Sequence, residues 1–118
     1  MSTTFSTDST VNATPLRLDS ALSAQIQVLG DALRAKGWSV SSAESCTGGG
    51  IAFAFTSVSG SSDWFNQSWV TYSNSAKQSR LGVTEQTLVE YGAVSQQTVK
   101  EMADGVRRNS GAQLVVTV

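Results

Sequence analysis

Three observations predict an α/β fold with a largely parallel sheet. Segments with helical spacing alternate with short β-rich runs along the 118 residues, the pattern that parallel strands and their crossovers produce. The last run, Leu114-Val115-Val116-Thr117-Val118, is almost continuously β-branched, as suits a strand covered on both faces. A glycine-rich turn, Ser45-Cys46-Thr47-Gly48-Gly49-Gly50, separates an apolar run from a helical segment and reads as strand, tight turn, helix.

The elements follow in order. Residues 1–17 are rich in Ser, Thr and Asn and poor in large apolar side chains, which predicts a flexible leader ahead of a single domain over 18–118. Leu18, Leu22, Ile26, Leu29 and Leu33 recur at helical spacing. Asp19 or Ser20 caps that helix and Gly37 follows its end. Trp38 to Ser42 is the first strand, with Trp38 and Val40 alternating against Ser39 and Ser41. The helix after Gly48 runs to Thr56, and the small residues from Ser57 to Asp63 form a loop. Trp69-Val70-Thr71-Tyr72 is the second strand. Asn74 to Arg80 is a short helix closed by Gly82. Thr84 caps Glu85 to Glu90, which Gly92 ends. Ser95 caps a longer helix with Val99, Met102, Ala103 and Val106 on its apolar face and Gly111 at its stop.

Composition narrows the function classes. Hydrophobic content is 40% and charged content 14%, which suits a domain with buried strands rather than a disordered chain. The net charge is −1 and the densest basic cluster is Arg107-Arg108, so no footprint for nucleic acid is present. Cys46 is the only cysteine and there is no histidine, which leaves too few ligands for a common zinc site. No apolar run is long enough to span a membrane and no secretory signal is visible. A cytoplasmic protein with no cofactor, metal, membrane or nucleic-acid partner is expected. Asn12-Ala13-Thr14 and Asn66-Gln67-Ser68 then match the glycosylation pattern by chance.

The turn after the first strand carries the candidate chemistry. Backbone N–H groups of a glycine turn and a helix start can hold an anion or a developing oxyanion. Ser45 lacks a histidine base, but a lysine that loses its proton cheaply can serve. Lys36 and Lys100 sit on polar helix faces. Lys77 follows Tyr72-Ser73-Asn74-Ser75-Ala76, directly after a strand, so Ser45, Tyr72 and Lys77 can converge as nucleophile, proton relay and base. Spacing alone leaves other readings open. Lys77 also suits a solvated helix charge, Tyr72 a strand residue with a wet hydroxyl, Ser45 a turn former, and Cys46 a small buried hydrophobe. Glu44 either orients a substrate amine or sits in solvent. The glycines match neither the dinucleotide fingerprint nor a phosphate-binding loop.

Five blocks occur in family order: Ala43-Glu44-Ser45-Cys46-Thr47-Gly48-Gly49, Gly60-Ser61-Ser62-Asp63-Trp64-Phe65, Val70-Thr71-Tyr72-Ser73-Asn74-Ser75-Ala76-Lys77, Leu81-Gly82-Val83 and Gly92-Ala93-Val94-Ser95. Together they resemble the C-terminal domain of the competence/damage-inducible protein CinA, from Leu22 to Val118. Gly50 and Tyr91 stand where relatives usually carry other residues. Stand-alone versions of that domain are bacterial nicotinamide-nucleotide amidases. The resemblance implies a three-layer α/β/α sandwich and hydrolysis of nicotinamide mononucleotide to nicotinic acid mononucleotide and ammonia, in pyridine nucleotide salvage. It places Ser45, Tyr72 and Lys77 on the catalytic positions of a histidine-free serine amidohydrolase. Glu44, Thr47, Gly48 and Gly49 are then expected at the substrate, with the N–H groups from Thr47 to Gly49 facing the oxyanion. Family members continue past the last strand into a glycine- and proline-rich loop, another strand and a closing helix. The fold is therefore expected to be incomplete at the C-terminus, and its uncovered last strand to favour a homo-oligomer. A non-catalytic nucleotide-binding or self-associating domain of the same family is the alternative function.

Overall fold

The computed structural model describes residues 17–118; the expected leader, residues 1–17, lies outside them but for Arg17, as does the Asn12 motif. Helix α1, Ser20–Lys36, starts where Asp19 Oδ1 accepts the N–H groups of Ala21 (2.7 Å) and Leu22 (3.2 Å). A carboxylate there satisfies donors that have no intrahelical partner. Gly37 closes it in the left-handed conformation. Ile26 and Leu33 are buried as the spacing requires, whereas Leu22 is exposed.

Strand β1 covers Val40–Glu44, two residues later than the sequence predicts. The Trp38 N–H bonds Leu33 O at 2.9 Å, so Trp38 belongs to the closing turn of α1. It is 43% exposed, with Lys36 Nζ 5.0 Å from its ring centroid. The expected alternation of exposed serines is also corrected, since every residue of β1 is buried. The cause is position: the sheet order is β2-β1-β3 and all pairing is parallel. β1 is central, with helices on both faces.

Helix α2, Gly50–Thr56, leads through a single 3₁₀ turn, Ser61–Asp63, to β2, Phe65–Val70. β2 starts four residues before the predicted strand, because Phe65-Asn66-Gln67-Ser68 has no β-branched residue to announce it. Tyr72 consequently lies past the strand. Helices α3, Asn74–Leu81, α4, Glu85–Tyr91, and α5, Gln96–Ser110, match their sequence signals, with Ser73, Thr84 and Ser95 as caps. Strand β3 is Leu114–Thr117.

Two apolar clusters make the layers. On one face Ile26 and Leu33 of α1 and Phe55 of α2 pack with Val40, Val58 and Trp64. On the other, Leu81 of α3, Leu88 of α4 and Met102 and Val106 of α5 pack with Ala43 and Val83. Leu114 and Val116 meet the first cluster and Val115 the second, the period-two alternation of a strand. β3 thus faces both layers, yet its residues are only half-buried, because it pairs with β1 along one edge alone. Phe65 and Trp69 reach opposite clusters although four residues apart. The register shift between Val40 and Ser42 sets Ser42 against Ser68, one residue beyond regular pairing, and turns the strand over.

The α3–α5 contact depends on Gly105. A Cβ there would lie 2.2 Å from Leu81 O and 2.7 Å from Leu81 Cα. Both neighbours are backbone, so the helices must separate to admit it. Gly105→Ala is expected to cost about 3 kcal/mol or more of stability. Urea unfolding measures the loss, and a midpoint equal to that of the parent would refute this account of the contact.

Candidate active site

Ser45 directly follows β1. Its N–H bonds Val118 O at 2.7 Å, and its carbonyl accepts the Gly48 N–H at 3.1 Å. A turn of this tightness needs backbone conformations that side chains resist: Gly48 has φ 60 and Gly49 φ 109. The value at Gly49 lies beyond the usual left-handed well and suits glycine alone.

Glu44 sets the geometry of this turn. It is fully buried. Oε1 accepts the Thr47 hydroxyl and the Ile51 N–H, each at 2.7 Å, and Oε2 accepts the Ala52 N–H at 2.9 Å. Ser42 Oγ donates to Ser68 Oγ at 2.6 Å, and Ser68 Oγ reaches Oε2 at 3.4 Å. Burial alone would push this carboxyl up, but the Ala52 and Ile51 amides with Thr47 and Ser68 outweigh it and hold it below its ordinary value. The expected contact of Glu44 with substrate is therefore corrected. Both oxygens are engaged by the start of α2, where a negative charge is favoured by the helix dipole. The Thr47 side chain faces Glu44 as well, so Thr47 has only its backbone to offer a ligand. Among the described residues the N–H groups of Cys46, Thr47 and Gly49 meet no acceptor, whereas Gly48 N–H is used within the turn.

Lys77 on α3 reaches the same place. The end of β2 is stitched to β1 by the Thr71 N–H on Glu44 O at 2.9 Å, and α3 starts just beyond. Lys77 has 0% exposure, which removes the solvated-charge reading. Its Nζ donates to Ser45 Oγ (2.9 Å), Thr71 O (2.9 Å) and Tyr72 O (2.7 Å). No carboxylate pairs with it in any described ion pair. Burial pushes the ammonium below its ordinary value, and the neighbouring Cys46 thiol only partly offsets this. The two carbonyls can only accept. A neutral Lys77 therefore spends its two N–H groups on them and turns its lone pair to the Ser45 hydroxyl.

Tyr72 enters through its backbone. Its side chain is 75% exposed, and among the described residues its hydroxyl bonds neither Ser45 nor Lys77. The direct Lys77–Ser45 contact leaves no gap for a relay to fill. Cys46 is exposed rather than buried. Ser45, Cys46, Tyr72 and Lys77 line one cleft of about 340 Å³ with Ala93 and Val94 from the α4–α5 connection. A concavity of about 370 Å³ between the start of α1 and α2, lined by Arg17, Leu18, Ser23, Phe53 and Ser57, holds no buried ionisable group. Sequence reasoning missed Ala93 and Val94 as cleft residues, although their Gly92-Ala93-Val94-Ser95 block is conspicuous. It also missed the serine pair behind Glu44, which no local signal announces.

Comparison with known proteins gives the family and supports the fold. The family model described as the CinA C-terminal domain matches residues 22–118. The chain belongs to this family. Nicotinamide-nucleotide amidohydrolase PncC of Enterobacter agglomerans is 59% identical over 90 residues, covering 76% of this chain and 55% of that protein. PncC of Escherichia coli K12 is 46% identical over 100 residues, covering 85% and 61%. The solved competence/damage inducible protein CihA from Agrobacterium tumefaciens superposes with a TM-score of 0.83 at 39% identity, over 87% of this chain and 62% of that one. ComA from Klebsiella pneumoniae gives 0.80 at 33%, over 81% and 60%. The CinA-type chain described here thus spans under two thirds of the length of these relatives.

Glu44→Gln replaces an acceptor with an NH₂ group that faces N–H donors. It is expected to lose about 3 kcal/mol, measured by denaturant unfolding at neutral pH. A carboxyl held low in the folded state stabilises above its unfolded value and loses that contribution as pH falls through the folded one. Glu101, held low by the Thr87 hydroxyl and the Thr84 N–H, acts in the same direction. Stability of the parent should therefore fall on acidification below the ordinary carboxylate range, less steeply in the Glu44→Gln variant. Equal slopes would exclude Glu44 as a source of that limb.

Proposed function

We propose that this chain carries the catalytic centre of a serine–lysine amidohydrolase acting on nicotinamide mononucleotide. The observation that carries the reading is the buried, carboxylate-free Lys77 Nζ at 2.9 Å from Ser45 Oγ. A buried amine whose charged form is disfavoured is a general base in waiting. The names of the PncC relatives, nicotinamide-nucleotide amidohydrolases, support the substrate.

Neutral Lys77 takes the Ser45 proton as Oγ bonds the carboxamide carbon. The carbonyl oxygen becomes an oxyanion, for which the unpaired N–H groups of Cys46, Thr47 and Gly49 in the same turn are the candidate donors; each such donor is typically worth about 3 kcal/mol. The C–N bond then breaks, and the leaving nitrogen departs as ammonia with the proton from Lys77. Water attacks the resulting ester, Lys77 accepts its proton and returns it to Ser45 Oγ, and nicotinic acid mononucleotide leaves. Tyr72 holds Lys77 through its carbonyl and lines the cleft. The small nucleotide is the partner, no cofactor takes part, and neither nucleic acid nor a membrane does. The cytoplasm is the setting, in keeping with pyridine nucleotide salvage; no helix among the described residues is long and apolar enough to cross a membrane. A homo-oligomer is also part of the reading.

Ammonia release from nicotinamide mononucleotide tests this reading. Ser45→Ala and Lys77→Met are expected to lower the rate by at least about a hundredfold with folding intact by circular dichroism. Methionine fills the buried volume without the amine. Retained activity in Lys77→Met would sink the mechanism; activity lost in Cys46→Ala but kept in Ser45→Ala would move the nucleophile to the thiol. Stoichiometric nucleotide binding with no acylation would favour a non-catalytic domain.

The pH dependence has a definite sign. Activity needs neutral Lys77, so it should rise with pH through an apparent value below the ordinary 10.5 of lysine. Between those two values the unfolded chain holds more protons, so stability also rises with pH there. A rate profile with no rise at any pH below the ordinary lysine value of 10.5 would contradict the assignment.

A further inference from the structure

The α4–α5 connection has more internal fastening than a four-residue link needs. Gly92 adopts φ 83, ψ 169, a backbone state open to glycine alone. Its carbonyl accepts both the Ser95 hydroxyl (2.9 Å) and the Thr98 hydroxyl (2.7 Å). Ser95 Oγ also accepts the Thr98 N–H at 3.1 Å, and Thr98 is fully buried. This clamp fixes Val94, yet Val94 is 93% exposed and contributes nothing to either apolar cluster. It does line the Ser45–Lys77 cleft, with Ala93 and Tyr72. The fastening therefore fixes the backbone that presents this apolar side chain at the cleft, which is how a scaffold prepares a contact in advance of binding.

The cleft divides by chemistry. Ser45, Cys46 and Lys77 supply all of its reactive groups, while Ala93 and Val94 offer only hydrocarbon and Tyr72 an aromatic face. An amide on a flexible aliphatic chain gains little from such a wall. An amide on a flat ring gains contact over its whole face, and a positively charged ring gains attraction to a tyrosine face as well.

We propose that Val94, with Ala93 and the Tyr72 ring, forms a platform for the planar ring that bears the substrate carboxamide, and that the apolar contact of Val94 favours amides borne on a flat ring over aliphatic ones. The proposal rests on the amidohydrolase reading for the substrate class, but it concerns recognition rather than the bond that breaks.

The test is calorimetric titration of the full chain on a Ser45→Ala background, which prevents turnover. The probes are nicotinamide mononucleotide and ribose 5-phosphate, which lacks the ring. Val94→Ser is expected to weaken the nucleotide about tenfold through lost apolar contact. Val94→Ile should stay within about twofold of the parent, and the ribose 5-phosphate titration should not change. The melting temperature should not move either, because the side chain is solvent-exposed. Unaltered nucleotide affinity in Val94→Ser, equal losses for both probes, or no nucleotide binding by the parent would each overturn the proposal. Val94-dependent binding by a chain with Ser45 intact that releases no ammonia would defeat the hydrolytic reading and leave the platform standing.

Discussion

The buried carboxylate of Glu44 is the constraint on which the site depends. It closes β1, holds the first amides of α2 and takes the Thr47 hydroxyl. A strand end, a turn and a helix start are thereby locked to one ionised group. An anion in a dry interior is expensive unless its lone pairs are filled. Here the donors are backbone groups that the helix leaves unpaired in any case. Each side thus resolves the other's deficit, and Ser45 between them has little freedom to move.

Lys77 poses the opposite problem with a different solution. It is buried with carbonyl and hydroxyl partners but no anion. Its neighbours recover only part of the cost of burying the ammonium, so its pKa is pushed below the ordinary lysine value. A structural lysine at this position would be paired or replaced by a hydrocarbon. The contrast with Glu44, only a few residues away in space, shows how two buried ionisable groups acquire opposite tendencies. One is surrounded by donors that stabilise its charge, the other by acceptors that fit its uncharged form equally well.

The sheet brings the two together. Because β1 is central, the loops after β1 and β2 emerge side by side at the carboxyl ends of parallel strands, where α/β proteins bind ligands. The Glu44–Thr71 backbone bond fixes their separation. Gly105 then lets α5 press against α3, the helix that carries Lys77. The geometry around Lys77 and the packing of the core are therefore one problem here, because the helix that carries Lys77 is also the one that Gly105 lets α5 approach.

The sequence by itself determined the α/β class and the helix caps at Thr84 and Ser95, narrowed the first cap to Asp19 or Ser20, and singled out Ser45 and Lys77 as candidates to converge. These rest on local chemistry: spacing of apolar residues, side chains that accept orphan N–H groups, and the absence of histidine. Local signals also set β1 two residues early and the start of β2 four residues late, since strand boundaries follow the partner strand and Phe65-Asn66-Gln67-Ser68 has no β-branched residue to reveal it. Only the tertiary structure decided that Glu44 turns inward to α2, that Tyr72 offers a carbonyl rather than its hydroxyl, and that Val94 stands at the cleft. Each of those outcomes depends on which groups from distant segments occupy the same few ångströms. A side chain's partner, unlike its propensity, is not encoded beside it in the chain.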